Sequence, residues 1–211
     1  MRNRYLNIKR MLTIASVMGI WCYTGTRTLA QQQPNPFRPP QATAHYERDR
    51  EYDLQHVLLR LKINETNKTF DGTVTETLTP LRKVSSIHFD ALDSLRIDEV
   101  SISNRSVSFE HAKNILTVNL PVAVQNRGGL PFNVTIKYGL KSGAKGAAAL
   151  NGEYGFHWIE ADKYVQNKHL SFYTQGETEG NRGWVPIYDY PNDKTTTETI
   201  VTAPDSWFIV G

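Results

Sequence analysis

Across residues 52–79 the side chains change character at every second position. Val57, Leu59, Leu61 and Ile63 are separated by His56, Leu58, Arg60 and Lys62. After a polar stretch at residues 64–68, threonines at 73, 75, 77 and 79 are interleaved with Val74, Glu76 and Leu78. Residues two apart in an extended chain share one face of a sheet, so this spacing predicts two strands joined as a hairpin. The same period returns at residues 87–89, 95–102, 106–109, 115–120 and 132–138, in a threonine-rich run ending before Pro204, and in the apolar run 207–210. Short strands rich in β-branched residues, with turn residues between them, predict an all-β fold, an antiparallel β-sandwich. Past residue 30 there is no 3.6-residue periodicity, and no repeat links the strands, which excludes a solenoid or a propeller. The glycine-dense stretch 139–152 lacks the Gly-Lys-Ser/Thr ending of a phosphate loop and reads as a loop between strands.

The N-terminus follows a different grammar. Arg2, Arg4, Lys9 and Arg10 precede an apolar run at residues 11–23, then small and polar residues to Ala30. That is the layout of a secretory signal, and the run is short for a membrane span, which takes about 20 residues. Residues 1–30 are therefore read as a signal peptide cleaved after Ala30, with an uncleaved membrane anchor as the alternative. Residues 31–44, rich in Gln and Pro, carry too little apolar surface to pack and form a tether. Residues 45–211 are the folded domain. The expected location is outside the cytoplasm, periplasmic or extracellular, with no membrane span in the mature chain and a tether to the membrane only if the signal stays. Cys22 is the single cysteine of the 211 residues and leaves with the signal, which excludes disulfides and thiol chemistry in the mature chain.

Charge sharpens this division. The chain carries 24 Lys+Arg and 21 Asp+Glu, but five of the bases and none of the acids lie in residues 1–30. What remains has 19 bases against 21 acids, a net charge of −2 rather than +3. A nucleic-acid partner needs clustered basic residues and is excluded on this balance.

Catalytic patterns are scarce. The six histidines, at 45, 56, 88, 111, 157 and 169, form no His-Glu-x-x-His pair and no local cluster of the three ligands a catalytic zinc takes. No Gly-x-Ser-x-Gly elbow appears. Carboxylate pairs such as Asp90/Asp93 and Glu177/Glu179 have the composition for acid–base work, but charged loops of this kind are common and need a pocket to mean anything. No catalytic residue and no metal ligand is assigned.

The informative segment is 173–194, Tyr-Thr-Gln-Gly-Glu-Thr-Glu-Gly-Asn-Arg-Gly-Trp-Val-Pro-Ile-Tyr-Asp-Tyr-Pro-Asn-Asp-Lys. It is too polar and proline-broken for a core, and it sets fixed charges between aromatics. It resembles the end of the N-terminal domain of the M1 zinc aminopeptidases, the aminopeptidase N family. Thr174, Gln175, Glu177, Arg182, Pro186, Asp189, Pro191 and Lys194 fall on that family's pattern without a gap. The departures are Asn181 for Ala, Ile187 for Cys and Thr195 for Ala. Upstream, residues 52–78 resemble the family's opening strand pair, and residues 89–102 its Asp-Ala stretch, so the resemblance spans residues 45–205.

The resemblance implies a saddle-shaped β-sandwich packed on a thermolysin-like catalytic domain. It assigns Glu177 to the free α-amine of a peptide substrate and Gln175 to the pocket for the first side chain. Arg182, Asp189 and Lys194 are expected to brace the loop. A substrate ammonium held in a site needs an ionised carboxylate, a contact worth about 1.5–3 kcal/mol. The family's zinc, its His-Glu-x-x-His helix and its Gly-x-Met-Glu-Asn motif belong to the next domain. None of these is present in the 211 residues, so the chain itself is expected to bind no cofactor and to be inactive alone, a front end truncated before its catalytic partner. Peptide N-termini are the expected ligands, met through that missing or separate domain. The alternatives are a free-standing secreted β-sandwich that binds a peptide or surface partner, and a carbohydrate-binding module supported by scattered Trp and Tyr.

Overall fold

The alternation across residues 52–79 folds as a hairpin. Strand β1 (Tyr52–Asn64) runs antiparallel to β2 (Thr69–Pro80), from Asn64 opposite Thr69 to Tyr52 opposite Pro80. Lys68 closes the turn with φ of 51°, and the Asn67 N–H donates to Asn64 Oδ1 at 3.0 Å. One face of the pair buries Val57, Leu59, Leu61 and Ile63 beside Phe70, Val74 and Leu78. The structure, a computed structural model, describes residues 48–124, 130–142, 155–162, 164–166 and 169–210. The expected signal at 1–30, the tether at 31–44 and residues 143–152 of the glycine-dense stretch lie outside the described residues.

Among the described residues nine further strands follow: β3 (Val84–Asp90), β4 (Leu95–Ile102), β5 (Arg105–Ser106), β6 (Phe109–Ala112), β7 (Ile115–Val124), β8 (Phe132–Leu140), β9 (Gly155–Ile159), β10 (Ser171–Gln175) and β11 (Thr196–Thr202). They form a six-stranded sheet in the order β11-β1-β2-β8-β4-β5, a three-stranded sheet β3-β7-β6, and the hairpin β9-β10. Val74, Leu78, Val134 and Ile136 from the large sheet share one fully buried core with Ile87, Phe89, Leu116 and Val118 from the smaller one. Apolar inner faces that meet in this way make the all-β sandwich predicted from the alternation. Among the described residues, no helix is long and apolar enough to cross a membrane.

Three expectations change. The run 106–109 is not one strand: Arg105–Ser106 pairs with β4 in the large sheet, and the chain then crosses to the small sheet, where Phe109–Ala112 pairs with β7. The run 207–210 is not a strand at all. Its Trp207 packs on Trp158 and Phe172 at centroid distances of 6.0 and 5.7 Å, and Phe208 and Val210 stay exposed. Finally, β11 lies parallel to β1, from His56 opposite Thr196 to Lys62 opposite Thr202, although every other described pairing is antiparallel. Side-chain alternation carries no information about strand direction.

The interior holds an aromatic cluster and, within β2, a buried acid. Phe156 ties the β9-β10 hairpin to the core at 4.8 Å from Phe70, and within the hairpin it stacks on Phe172 at 4.9 Å between ring centroids. Glu76, in the middle of β2, points into the core between the apolar residues of β1 and β8. It is fully buried, and among the described residues neither carboxylate oxygen has a hydrogen-bond partner. Burial disfavours its charged form and pushes its pKa well above the ordinary value.

Candidate functional site

The site begins where β10 ends. Gln175 pairs with Gly155 across the hairpin, and the chain then leaves the sheet through Gly176, Glu177 and Thr178, with a cis peptide bond between Glu177 and Thr178. The Gly180 N–H returns to Gly176 O at 2.9 Å, which closes a tight loop. A single 3₁₀ turn, Asn181–Gly183, follows. The Asn181 carbonyl accepts the N–H groups of Trp184 and Val185 at 3.0 and 2.9 Å, and Val185 carries the chain into the core.

Two buried carboxylates hold this loop. Asp189, 4% exposed, accepts the backbone N–H and Nε–H of Arg182 on Oδ2 at 3.0 and 3.1 Å, and the Asn181 amide on Oδ1 at 3.2 Å. Arg182 also donates to the Asp189 carbonyl at 2.9 Å and to Glu179 Oε2 at 2.6 Å. Asp90, 1% exposed at the end of β3, accepts the Asp189 N–H at 3.0 Å and Arg48 Nη1 at 2.6 Å, and it lies 3.6 Å from Arg182 Nη1. Its backbone exchanges two hydrogen bonds with Ile187, at 2.8 and 3.0 Å. Buried carboxylates that meet part-exposed guanidinium groups and backbone N–H donors in this way have their hydrogen-bonding needs met within the protein.

Downstream, Asp193 accepts the Leu54 N–H at 2.9 Å and pairs with Arg50, which docks the start of β11 beside β1. A cavity of about 770 Å³ opens between this loop and the β1-β11 edge. Glu177, Asn181, Trp184 and Tyr190 line it on the loop side, and Val57 and Leu59 on the strand side. Cavities of this size, apolar with a few polar groups, are typical of ligand sites.

The Peptidase M1 N-terminal domain family model matches residues 42–210. The chain belongs to the M1 peptidase N-terminal domain family. Solved structures of the same fold include an M1 zinc metallopeptidase from Deinococcus radiodurans, 22% identical with a TM-score of 0.57; the match covers 75% of this chain and 34% of that one. A variant of that metallopeptidase bound to a Tyr-Ser-Ala substrate matches at 21% identity and a TM-score of 0.54, over 72% of this chain and 32% of that one. Leukotriene A4 hydrolase from Saccharomyces cerevisiae matches at 19% identity and a TM-score of 0.59, over 73% and 24%. A comparison with curated protein sequences returned no match. The chain thus spans about one third of the length of the metallopeptidases it matches.

Within this M1 N-terminal domain, the residues singled out from sequence occupy distinct places. Gln175 is half-buried at the end of β10, on the same face as Tyr173, whose ring stacks on His157 at 4.8 Å. Glu177 is exposed on the cavity wall, and its carboxylate has no hydrogen-bond or ion-pair partner among the described residues. Glu179, two positions on, is bound to Arg182. Arg182 and Asp189 are bound to each other, whereas Lys194 is exposed and stands outside their network. The pair Asp90/Asp93 does not converge: Asp90 is buried in the loop network, and Asp93 exchanges hydrogen bonds with Asn114, both at 2.9 Å. Sequence reasoning missed Asp193 and the contact between Asn181 and Gly176. Among the described residues no three His, Cys, Asp or Glu side chains stand together to hold a metal.

Proposed function

We propose that this chain is the substrate-recognition domain of an M1 metallo-aminopeptidase, exported from the cytoplasm, in which Glu177 binds the α-ammonium of a peptide and Gln175 borders the first side chain. One observation carries the reading. Of the two glutamates in the loop, Glu179 is bound to Arg182, while Glu177 stands on the cavity wall with its carboxylate unpaired among the described residues. A carboxylate left open at a cavity, on a loop fixed by buried ion pairs, is preorganised for a cation. The solved relative that holds Tyr-Ser-Ala, a peptide with a free amine, is consistent with this assignment. Hydrolysis itself requires a zinc-bearing catalytic segment in addition to these 211 residues.

The test fuses the chain to the catalytic domain of a two-domain M1 zinc metallopeptidase and compares free and N-acetylated peptides. The fusion is expected to cleave only free N-termini, and Glu177→Gln to raise KM about 10- to 150-fold, the equivalent of one charge-assisted contact. Equal cleavage of the acetylated peptide, or an unchanged KM in the variant, overturns the reading.

A further inference from the structure

We infer that Asn181 is the positioning residue for Glu177 and acts through Gly176; the functional meaning of this rests on the reading of Glu177 as the amine acceptor. Glu177 has no side-chain partner of its own among the described residues, so whatever orients it must act through its neighbours in the chain. Gly176 is the neighbour on the strand side. A Cβ at position 176 would stand 2.9 Å from Asn181 Cγ and 3.0 Å from Nδ2, and closer still to Oδ1. The Asn181 side chain therefore occupies the volume that any other residue at 176 would fill, a close approach that only glycine admits.

Asn181 is itself immobilised at both ends. Its amide donates to the buried Asp189 at 3.2 Å, and its carbonyl accepts the Trp184 and Val185 N–H groups. Asp189 is fixed in turn by Arg182 and by its N–H bond to Asp90. An unbroken line of contacts thus runs from the end of β3 through Asp189 and Asn181 to Gly176, one residue from the carboxylate. The sequence carries the same pairing. Asn181 stands where the M1 pattern has Ala, and a glycine fills the position between Gln175 and Glu177 that the pattern leaves open. A long side chain at 181 and no side chain at 176 complement each other.

The inference is tested on the full chain by backbone ¹⁵N relaxation and by titration with the tripeptide Tyr-Ser-Ala, free and N-acetylated. Asn181→Ala and Gly176→Ala are each expected to lower the order parameters of residues 176–178 below about 0.6 while the β1-β2 amides keep wild-type values. Each is expected to weaken binding of the free tripeptide about 3- to 10-fold, the scale of one lost hydrogen bond. Because both act through one contact, the double variant should lose no more than the worse single one. Unchanged order at 176–178, or losses that multiply in the double variant, overturns the inference. Glu177→Gln separates the two claims: if it leaves tripeptide binding untouched, the amine reading fails, while the order parameters still decide the role of Asn181.

Discussion

Asp90 accepts the backbone N–H of Asp189 at 3.0 Å across 99 positions of sequence, so two almost fully buried acids lie side by side. Their charges are tolerated because Arg182 reaches both, at 3.6 and 3.1 Å, and Arg48 adds a second cation at 2.6 Å from Asp90. This junction fastens the loop that carries Glu177 to the edge of the small sheet. Its worth is best measured by breaking it, since a buried charge that loses its partner is costly whatever the intact pair contributes.

Asp90→Ala leaves Arg182 without one of its carboxylates and the Asp189 N–H without an acceptor. The expected loss is about 3–5 kcal/mol of unfolding free energy, read by urea denaturation. A loss below about 1 kcal/mol would mean that water takes over both contacts, as it does for surface pairs.

Glu76 makes stability depend on pH in a fixed direction. Its pKa in the folded domain is raised by burial above the ordinary value of 4.5, so the folded state holds the proton more tightly than the unfolded chain does. Its favourable contribution is complete below about pH 4.5 and is lost as the pH climbs through the folded pKa, at up to about 1.4 kcal/mol per pH unit. The titratable groups facing it are Tyr138 from β8 and Tyr52 from β1, whose own ionisation burial pushes far upward. Glu76→Met is expected to match the wild type near pH 4 and to exceed it increasingly toward pH 8 in thermal denaturation. Parallel curves for the two proteins would show that Glu76 is not the titrating group.

The opening hairpin was legible because Val57, Leu59 and Leu61 alternate over a length that no helix could bury on one side. Alternation identifies a strand but not its neighbour, which is why the parallel partnership of β1 and β11 could not be read from it. The run 207–210 is apolar enough for a strand. Its fate was decided instead by Trp158 and Phe172, more than 30 positions upstream, which supply the surface on which Trp207 packs. At the candidate site the motif 174–194 brought out Gln175, Glu177, Arg182 and Asp189. Asp90 appeared only as half of an unpromising carboxylate pair, because its partners Arg48 and Asp189 converge on it only in three dimensions.

The aromatic tail gives a paired prediction. Trp207 joins Trp158 and Phe172 and donates its indole N–H to Glu65 at 3.0 Å, whereas Phe208 is 90% exposed. Trp207→Ala is expected to cost about 2 kcal/mol and to speed amide exchange in β9 and β10 selectively. Phe208→Ala should stay within about 0.5 kcal/mol of wild type. If exchange in the hairpin is the same in both variants, the tail does not hold it.

The parallel seat of β11 beside β1 sets a timetable for the nascent chain. Thr196 meets His56 across 140 residues, and translation at about 5–20 residues per second leaves the outer edge of the first strand bare for about 7–28 s before its partner has been made. Through that interval an edge lined by Val57, Leu59 and Leu61 offers free backbone groups to any passing strand. The domain's greatest exposure to misassembly therefore outlasts synthesis of the loop that carries Glu177, and a holdase acting on the emerging chain would do the most good before β11 is made.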